Sequence, residues 1–400
     1  MEPCRIPPAV HKPMTGLCAR MLAIAVAIFI APFTQGAAYS VFDVGALKTS
    51  FESSGSGAYN PLSNTGFVVG STRDTRGDYH AFRTTTNIAI TPQSDLQTIL
   101  ATSSSASSVN DWGQTVGSSM FDYRSNNQHA FRTQPNGQIL AGSDLGTLPG
   151  GLSSSAWGIN ASGQTVGVSY TVAGAVRHAF RTAPNGLITP ESDLNGLGVS
   201  ESIAYAINAS GQTVGFAGFA GVDHAFRTAP SGQVTPDSDL GTLGGSYSEA
   251  HSINDSGVTV GHSFTVASGS HAFRTTPNGV IDPASDLGTL GGNVSIAYGV
   301  NNSNQTVGSS FASSGFTGYH AFFVDVTGPM QDLNDLIPAS SGWQLQEARG
   351  INDLGQIAGF GTIGGHTHAF VLTPTPEPAS ASLLALPTLL LLVRKRRSNH

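Results

Sequence analysis

The sequence is short of cysteine and of charge. Only Cys4 and Cys18 occur in 400 residues, and charged side chains make up 11% of the chain, against a usual share of about 25%. So few charges exclude a coiled coil, a solvated disordered tail and a nucleic-acid surface, each of which is built from them. Lysine is scarcer still: between residues 39 and 375, Lys48 is the only one. That stretch holds 23 acidic and 11 basic side chains, a net charge of about −12, which argues against nucleic acid and anionic membrane surfaces as partners. No apolar run reaches the ~20 residues of a permanent membrane span. The signatures of a nucleophile elbow, a zinc-binding histidine pair on a helix and a phosphate-cradling glycine loop are also missing.

The two longest apolar runs lie near the ends and read as address signals. Residues 21–31 follow a leader carrying Arg5, Lys12 and Arg20, and the small residues Gly36-Ala37-Ala38 come after them. That is the layout of an export signal, with cleavage expected after Ala38. Both cysteines precede that point, so the mature chain is expected to be free of thiols and disulfides. At the other end Pro376-Glu377-Pro378 precedes the apolar segment 379–393 and the basic cluster Arg394-Lys395-Arg396-Arg397. This order resembles the PEP-CTERM sorting signal of Gram-negative bacteria. The resemblance implies transient anchoring of a transmembrane helix in the inner membrane, an exosortase-type enzyme that follows signal peptidase, and delivery to the cell surface or beyond. It also implies an exopolysaccharide setting.

What is plentiful is glycine, at 49 residues, with 21 prolines and an apolar share of 39%. Much of the glycine belongs to a repeat. His-Ala-Phe occurs at His80, His129, His178, His224, His271, His320 and His368, at spacings of 49, 49, 46, 47, 49 and 48 residues. A period of this size suits one blade of a propeller. The clearest unit runs Ser238-Asp-Leu-Gly-Thr-Leu-Gly-Gly245, Ala250-His-Ser-Ile-Asn-Asp-Ser-Gly257 and His271-Ala-Phe-Arg-Thr275. It is similar to the HAF repeat, an extracellular repeat family named after its signature, over nearly all of the stretch 41–371. That family brings little biochemistry with it.

Two turn signals punctuate each unit. In the first, such as Asn160-Ala-Ser-Gly163 and Asn254-Asp-Ser-Gly257, Asn caps the turn and a left-handed Gly closes it. In the second, such as Ala183-Pro-Asn-Gly186 and Thr276-Pro-Asn-Gly279, Pro fixes the second position and Gly takes the fourth. Alternating apolar residues on both sides make each turn a hairpin, so a unit is expected to hold four strands. The chain enters in a fourth strand, at Val41-Phe-Asp-Val-Gly-Ala-Leu47, and leaves after a third, at His368-Ala-Phe-Val371. The expectation is an all-β, seven-bladed β-propeller over 39–372, flanked by a signal peptide (1–38) and a sorting signal (373–400). Its N-terminal strand would complete the last blade and remove the free edges. The alternative is an open β-solenoid of seven repeats.

The seven signature histidines are read as structural, each hydrogen-bonded between blades. One per unit cannot converge on an ion, so no metal or cofactor is assigned. The repeated aspartates (Asp95, Asp144, Asp193, Asp239, Asp286) and the Arg of Phe-Arg-Thr are read the same way, the Arg pairing with carboxylates or carbonyls. The glycosylation-like triplets at Asn160 and Asn208 are explained by their turns. Recognition is assigned instead to a position that varies from unit to unit, three residues before the first turn: Asn60, Ser107, Trp157, Tyr205, His251, Tyr298 and Arg349. Of these Trp157, Tyr205, His251, Tyr298 and Arg349 are the candidate ligand-binding residues. Aromatics of the loops after the second strands (Phe121, Tyr123, Tyr170, Phe219, Phe264, Phe316, Tyr319) would widen the same face for stacking on sugar rings. The expected function is non-enzymatic binding or scaffolding with a polysaccharide or surface-protein partner. Because paired carboxylates can come from distant units, a glycan hydrolase or lyase is the alternative.

Overall fold

In five of the seven units the first strand ends in an Asn-x-x-Gly turn, replaced by Ser63-Asn-Thr-Gly66 in the first and Asn301-Asn-Ser-Asn304 in the sixth, and in six units it folds back on a second strand that opens Thr-Val-Gly or Ile-Ala-Gly. The computed structural model describes residues 38–46, 53–54, 60–74, 76–100, 103–122, 127–171, 176–195, 199–267, 269–312 and 318–375. The export signal ahead of Ala38, the sorting motif from Pro376 to Arg397, and the loop aromatics Tyr123 and Phe316 lie outside them. Among the described residues the chain is all β, with several small antiparallel sheets and no α-helix. No helix there is long and apolar enough to cross a membrane.

The fifth unit illustrates the pattern: Gly244–Ile253 pairs antiparallel with Thr259–Thr265, which pairs with Ser270–Arg274. The first turn forms as its residues dictate. Asn254 Oδ1 accepts from the Ser256 and Val258 backbone N–H groups at 3.1 and 3.0 Å, and Gly257 adopts a φ of 80°. The second turn departs from expectation. Its left-handed residue is the third, Asn278 at φ 55°, rather than the glycine after it, because Asn tolerates that region better than most side chains.

The fourth strand is also different. In five units it is reduced to a single bridge between the signature Phe and the repeated Asp, as at Phe273 and Asp286. A one-turn 3-10 helix, Pro283–Ser285 in this unit, interrupts it. Proline has no N–H to give a ladder, and the segment divides its bonds between two units instead. Leu287 N–H donates to Ala272 O of its own unit, while Ile281 N–H donates to Leu240 O of the unit before. The same 3-10 turn forms at Ala141–Ser143, where no proline is present, but one fourth strand is complete: Tyr39–Gly45 pairs antiparallel with His366–Pro374, from Tyr39 opposite Pro374 to Gly45 opposite Ala369. The first described strand therefore completes the last sheet.

Packing between sheets follows the same circuit. The buried side chains fall into clusters that each join consecutive units: Val69, Ala81 and Leu96 of the first with Ala106 and Phe131 of the second, and so on to the sixth and seventh. A further cluster joins the seventh to the first, Ala358, Ala369 and Val371 with Leu62, Val68 and Phe82. The turn asparagines repeat the pattern. Asn110 Nδ2 donates to Asn160 O, Asn160 to Asn208 O, Asn208 to Asn254 O, Asn254 to Asn301 O, Asn301 to Asn352 O, and Asn352 to Ser63 O, at 2.9 to 3.1 Å. These turns together surround a polar cavity of about 190 Å³. Five arginines fasten unit to unit as well. Arg83, for example, reaches Gly113 O of the next unit at 2.9 Å, and Arg274 reaches Asn304 O at 2.7 Å. Carbonyls and threonine hydroxyls, not carboxylates, are the partners.

Candidate functional site

The signature histidine is fixed by the aspartate that follows it, through Nδ1. The distances are 2.9 Å for His80 and Asp95, 3.0 Å for His129 and Asp144, 2.8 Å for His178 and Asp193, 3.0 Å for His224 and Asp239, and 2.9 Å for His271 and Asp286. His320 uses Asp332 in the same way. The partner thus lies in the same unit, on its outer segment, and not in the neighbouring one. In the seventh unit that segment comes from the start of the fold, and His368 meets Asp43 at 3.0 Å.

At His80 the hydrogen bond to Asp95 raises the pKa above the ordinary value, against the opposing effect of burial; Asp74, 4.0 Å from Nε2, and Asp78 add to the rise. A raised folded-state pKa means that this pair's stabilisation is fully present below pH ~6.5 and fades as pH rises through the folded value. The His80 ring is accordingly expected to titrate above ~6.5 in an NMR pH series and to fall back toward it in Asp95→Asn. A wild-type midpoint at or below that value would contradict the assignment.

The variable position has a definite structural cause. In six units the pairing register between first and second strands slips by one residue at this point. The residue left over is Ser107, Trp157, Tyr205, His251, Tyr298 or Arg349. Each is therefore a β-bulge, an unpaired residue whose side chain is re-aimed by the local kink. The glycine opposite is obligatory: a Cβ on Gly261 would lie 1.9 Å from Glu249 O, and the equivalent atoms are as close at Gly117, Gly167, Gly215, Gly308 and Gly359.

The bulges bring the five candidate ligand-binding residues together, but against one another and away from solvent. The Trp157 and Tyr205 rings meet edge to face at 5.1 Å, Tyr205 and His251 at 5.4 Å, and His251 and Tyr298 at 5.4 Å. The Arg349 guanidinium lies 4.0 Å over Tyr298 and pairs with Glu347. Tyr205, His251 and Tyr298 are buried, Trp157 and Arg349 half-buried. Five consecutive units thus supply one continuous inner stack. The expected open recognition face is replaced by packing, since each of these large side chains finds its neighbour unit's counterpart within ring-contact distance. Of the loop aromatics, Phe264 is exposed, Phe219 is buried, and Tyr319 stacks on Phe311 at 4.3 Å.

Two further variable positions matter, and the sequence reading passed them over: the residue five before the turn Asn and the residue after the second-strand Gly. In the fifth unit they are Glu249 and His262, direct cross-strand neighbours. Tyr247 Oη donates to Glu249 Oε2 at 2.8 Å, and His251 Nε2 lies 3.2 Å from His262 Nδ1. Burial pushes the His251 pKa down to about 3 and lowers that of His262, with Glu249 opposing both shifts. Glu249 is held below the usual carboxylate range: burial, the largest influence, acts against this, but the two histidines and the Tyr205 and Tyr247 hydroxyls outweigh it.

In the first two units the same positions are small, and space opens. Ser71, Ser103, Ser104, Ser105 and Ser118, with Tyr79, Met120 and Gln128, line a cleft of about 290 Å³. The Tyr79 ring is 39% exposed, and Arg73 braces it through a 2.9 Å hydrogen bond to its hydroxyl with the guanidinium 4.6 Å over the ring. The cleft presents hydroxyls and one amide beside an aromatic ring, a lining suited to a neutral, hydroxyl-rich ligand. Elsewhere, Asn160 and Asn208 are buried with their amides engaged, as a role in the turns requires. No protein-family model matches the chain, and no curated protein is significantly similar to it.

Proposed function

We propose that this chain is an exported, seven-bladed β-propeller that binds polysaccharide without cleaving it. The propeller reading is supported by the pairing of Tyr39–Gly45 with His366–Pro374 and by the buried cluster shared by the last and first units. An open solenoid has no reason to join those two. Export and sorting rest on the two terminal signals, and the resemblance to the HAF repeat supports a location outside the cell.

The observation that carries the binding function is the serine-lined cleft between the first two units. Its volume accommodates one or two sugar rings, Tyr79 offers a face to stack on, and the hydroxyls of Ser71, Ser105 and Ser118 offer both donors and acceptors. None of the described residues lining it is a carboxylate, whereas glycoside hydrolysis calls for two. The test is retention on matrix polysaccharide together with an assay for new reducing ends. Tyr79→Ala is expected to weaken retention about tenfold, the equivalent of ~1.4 kcal/mol. Ser118→Phe, which fills the cleft, is expected to abolish retention while leaving the melting temperature near wild type. Equal retention by both variants would discard the cleft. Release of new reducing ends by the wild type would turn the reading to a glycan hydrolase or lyase.

A further inference from the structure

We propose that Glu249, His251 and His262 form a site for one divalent transition-metal ion of the zinc class, inside the fifth unit. One donor atom from each residue lies within 4.8 Å of the other two. The closest pair, His251 Nε2 and His262 Nδ1, is 3.2 Å apart. Two nitrogens bound to one tetrahedral ion at ~2.1 Å stand roughly 3.4 Å apart. The imidazole planes are nearly parallel, at 16°, with ring centroids 5.3 Å apart. Glu249 completes a two-histidine, one-carboxylate set. Imidazole-rich sets of this kind select zinc, copper or nickel over calcium and magnesium. Tyr247 Oη donates to Glu249 Oε2 at 2.8 Å, an outer hydrogen bond of the kind that ligating carboxylates commonly carry. Three protein ligands leave a fourth position for water or a bound molecule.

The repeat supplies an independent argument, because the other units state what the fold itself requires at these positions. Where the fifth unit has Glu249, four others have Ser105, Ser155, Ile203 and Ile296, and the seventh has Glu347, which is paired with Arg349 and faces Phe360 rather than a histidine. Where it has His262, others have serine, valine or phenylalanine. Packing and pairing are satisfied without titratable groups, so their joint appearance in one unit calls for another cause. Apart from the seven signature histidines, the described residues include only His251, His262 and His366. Two of those three meet here.

The test uses the full chain, stripped with chelator and titrated with Zn²⁺ by calorimetry, and with Co²⁺ by visible absorption. The wild type is expected to take up one tight equivalent and to give the intense bands of a low-symmetry Co²⁺ site. His262→Ser is the variant of choice, since serine stands at that place in three other units and the fold accepts it. It is expected to weaken binding at least ~100-fold, as is Glu249→Ser to a smaller degree. His271→Gln, which removes a signature histidine, is expected to leave the tight equivalent unchanged. A rise in melting temperature with Zn²⁺ in the wild type but not in His262→Ser, read on the same samples, shows the variant to be folded. The proposal is overturned if the wild type takes up no ion at about 1 mM, or if uptake in His262→Ser equals that of the wild type.

Discussion

A chain lacking Tyr39–Gly45 is expected to melt at least about 10 °C below the intact protein or to lose cooperative unfolding altogether. The segment buries Val44 completely, Tyr39 almost so, and Val41 and Phe42 in part. At ~1.5–3 kcal/mol for each fully buried side chain, this is worth about 5 kcal/mol or more, which is comparable with the whole stability of many domains. Its loss also uncovers the edge of His366–Pro374, leaves His368 without Asp43 and removes the Val44 carbonyl that accepts from Ile90 N–H. Damage at both the last and the first unit follows from one excision. Differential scanning calorimetry decides the matter, and a midpoint within about 2 °C of the intact chain would refute the role given to this strand.

Replacing the signature phenylalanine is expected to have the next largest effect. Phe82, Phe131, Phe180, Phe226, Phe273, Phe322 and Phe370 are all fully buried. Phe273 shows why: it packs with Ala206, Val214 and Leu240 of the preceding unit and with Ala250 and Ile281 of its own. Small alanines surround it on both sides, so little can move in to fill a void. Phe273→Ala is expected to cost about 3–5 kcal/mol by denaturant titration. Phe264→Ala, only nine residues away but 43% exposed, is expected to cost under ~1 kcal/mol. Equal losses at the two positions would mean that the signature phenylalanine is not the wedge between units that its burial indicates.

Much of this architecture could be read from the sequence because seven copies act as their own alignment. The Asn-x-x-Gly turns, the structural role of histidine and aspartate, and the entry of the chain in a fourth strand all rest on residues that recur. What could not be read depends on register. Spacing placed Trp157, Tyr205 and Tyr298 correctly as a variable set, but a bulge turns them onto each other, and a bulge leaves no mark in a pattern of alternating residues beyond the glycine opposite it. The same slip puts His251 on the flank where Glu249 and His262 already face each other. Two residues eleven apart come within hydrogen-bonding distance only when the register is known. The broken fourth strand did leave a trace in Thr-Pro-x-Ser and Asp-Pro-x-Ser, whose proline cannot join a ladder. The second hydrogen bond of each turn asparagine, across to the next unit, is invisible to any local motif.

The pairing of Tyr39–Gly45 with His366–Pro374 also orders events in time. Six of the seven histidine–aspartate contacts span 12 or 15 residues, and each can form as soon as its own unit exists; the seventh spans 325. Closing so long a loop costs entropy that no neighbouring contact offsets beforehand, and contacts of such separation slow folding. The first described strand is therefore the last to find its partner, and until it does, the free edge of the last sheet is open to any other chain with a strand to offer. During that interval dilution and the chain's own net negative charge are the available safeguards.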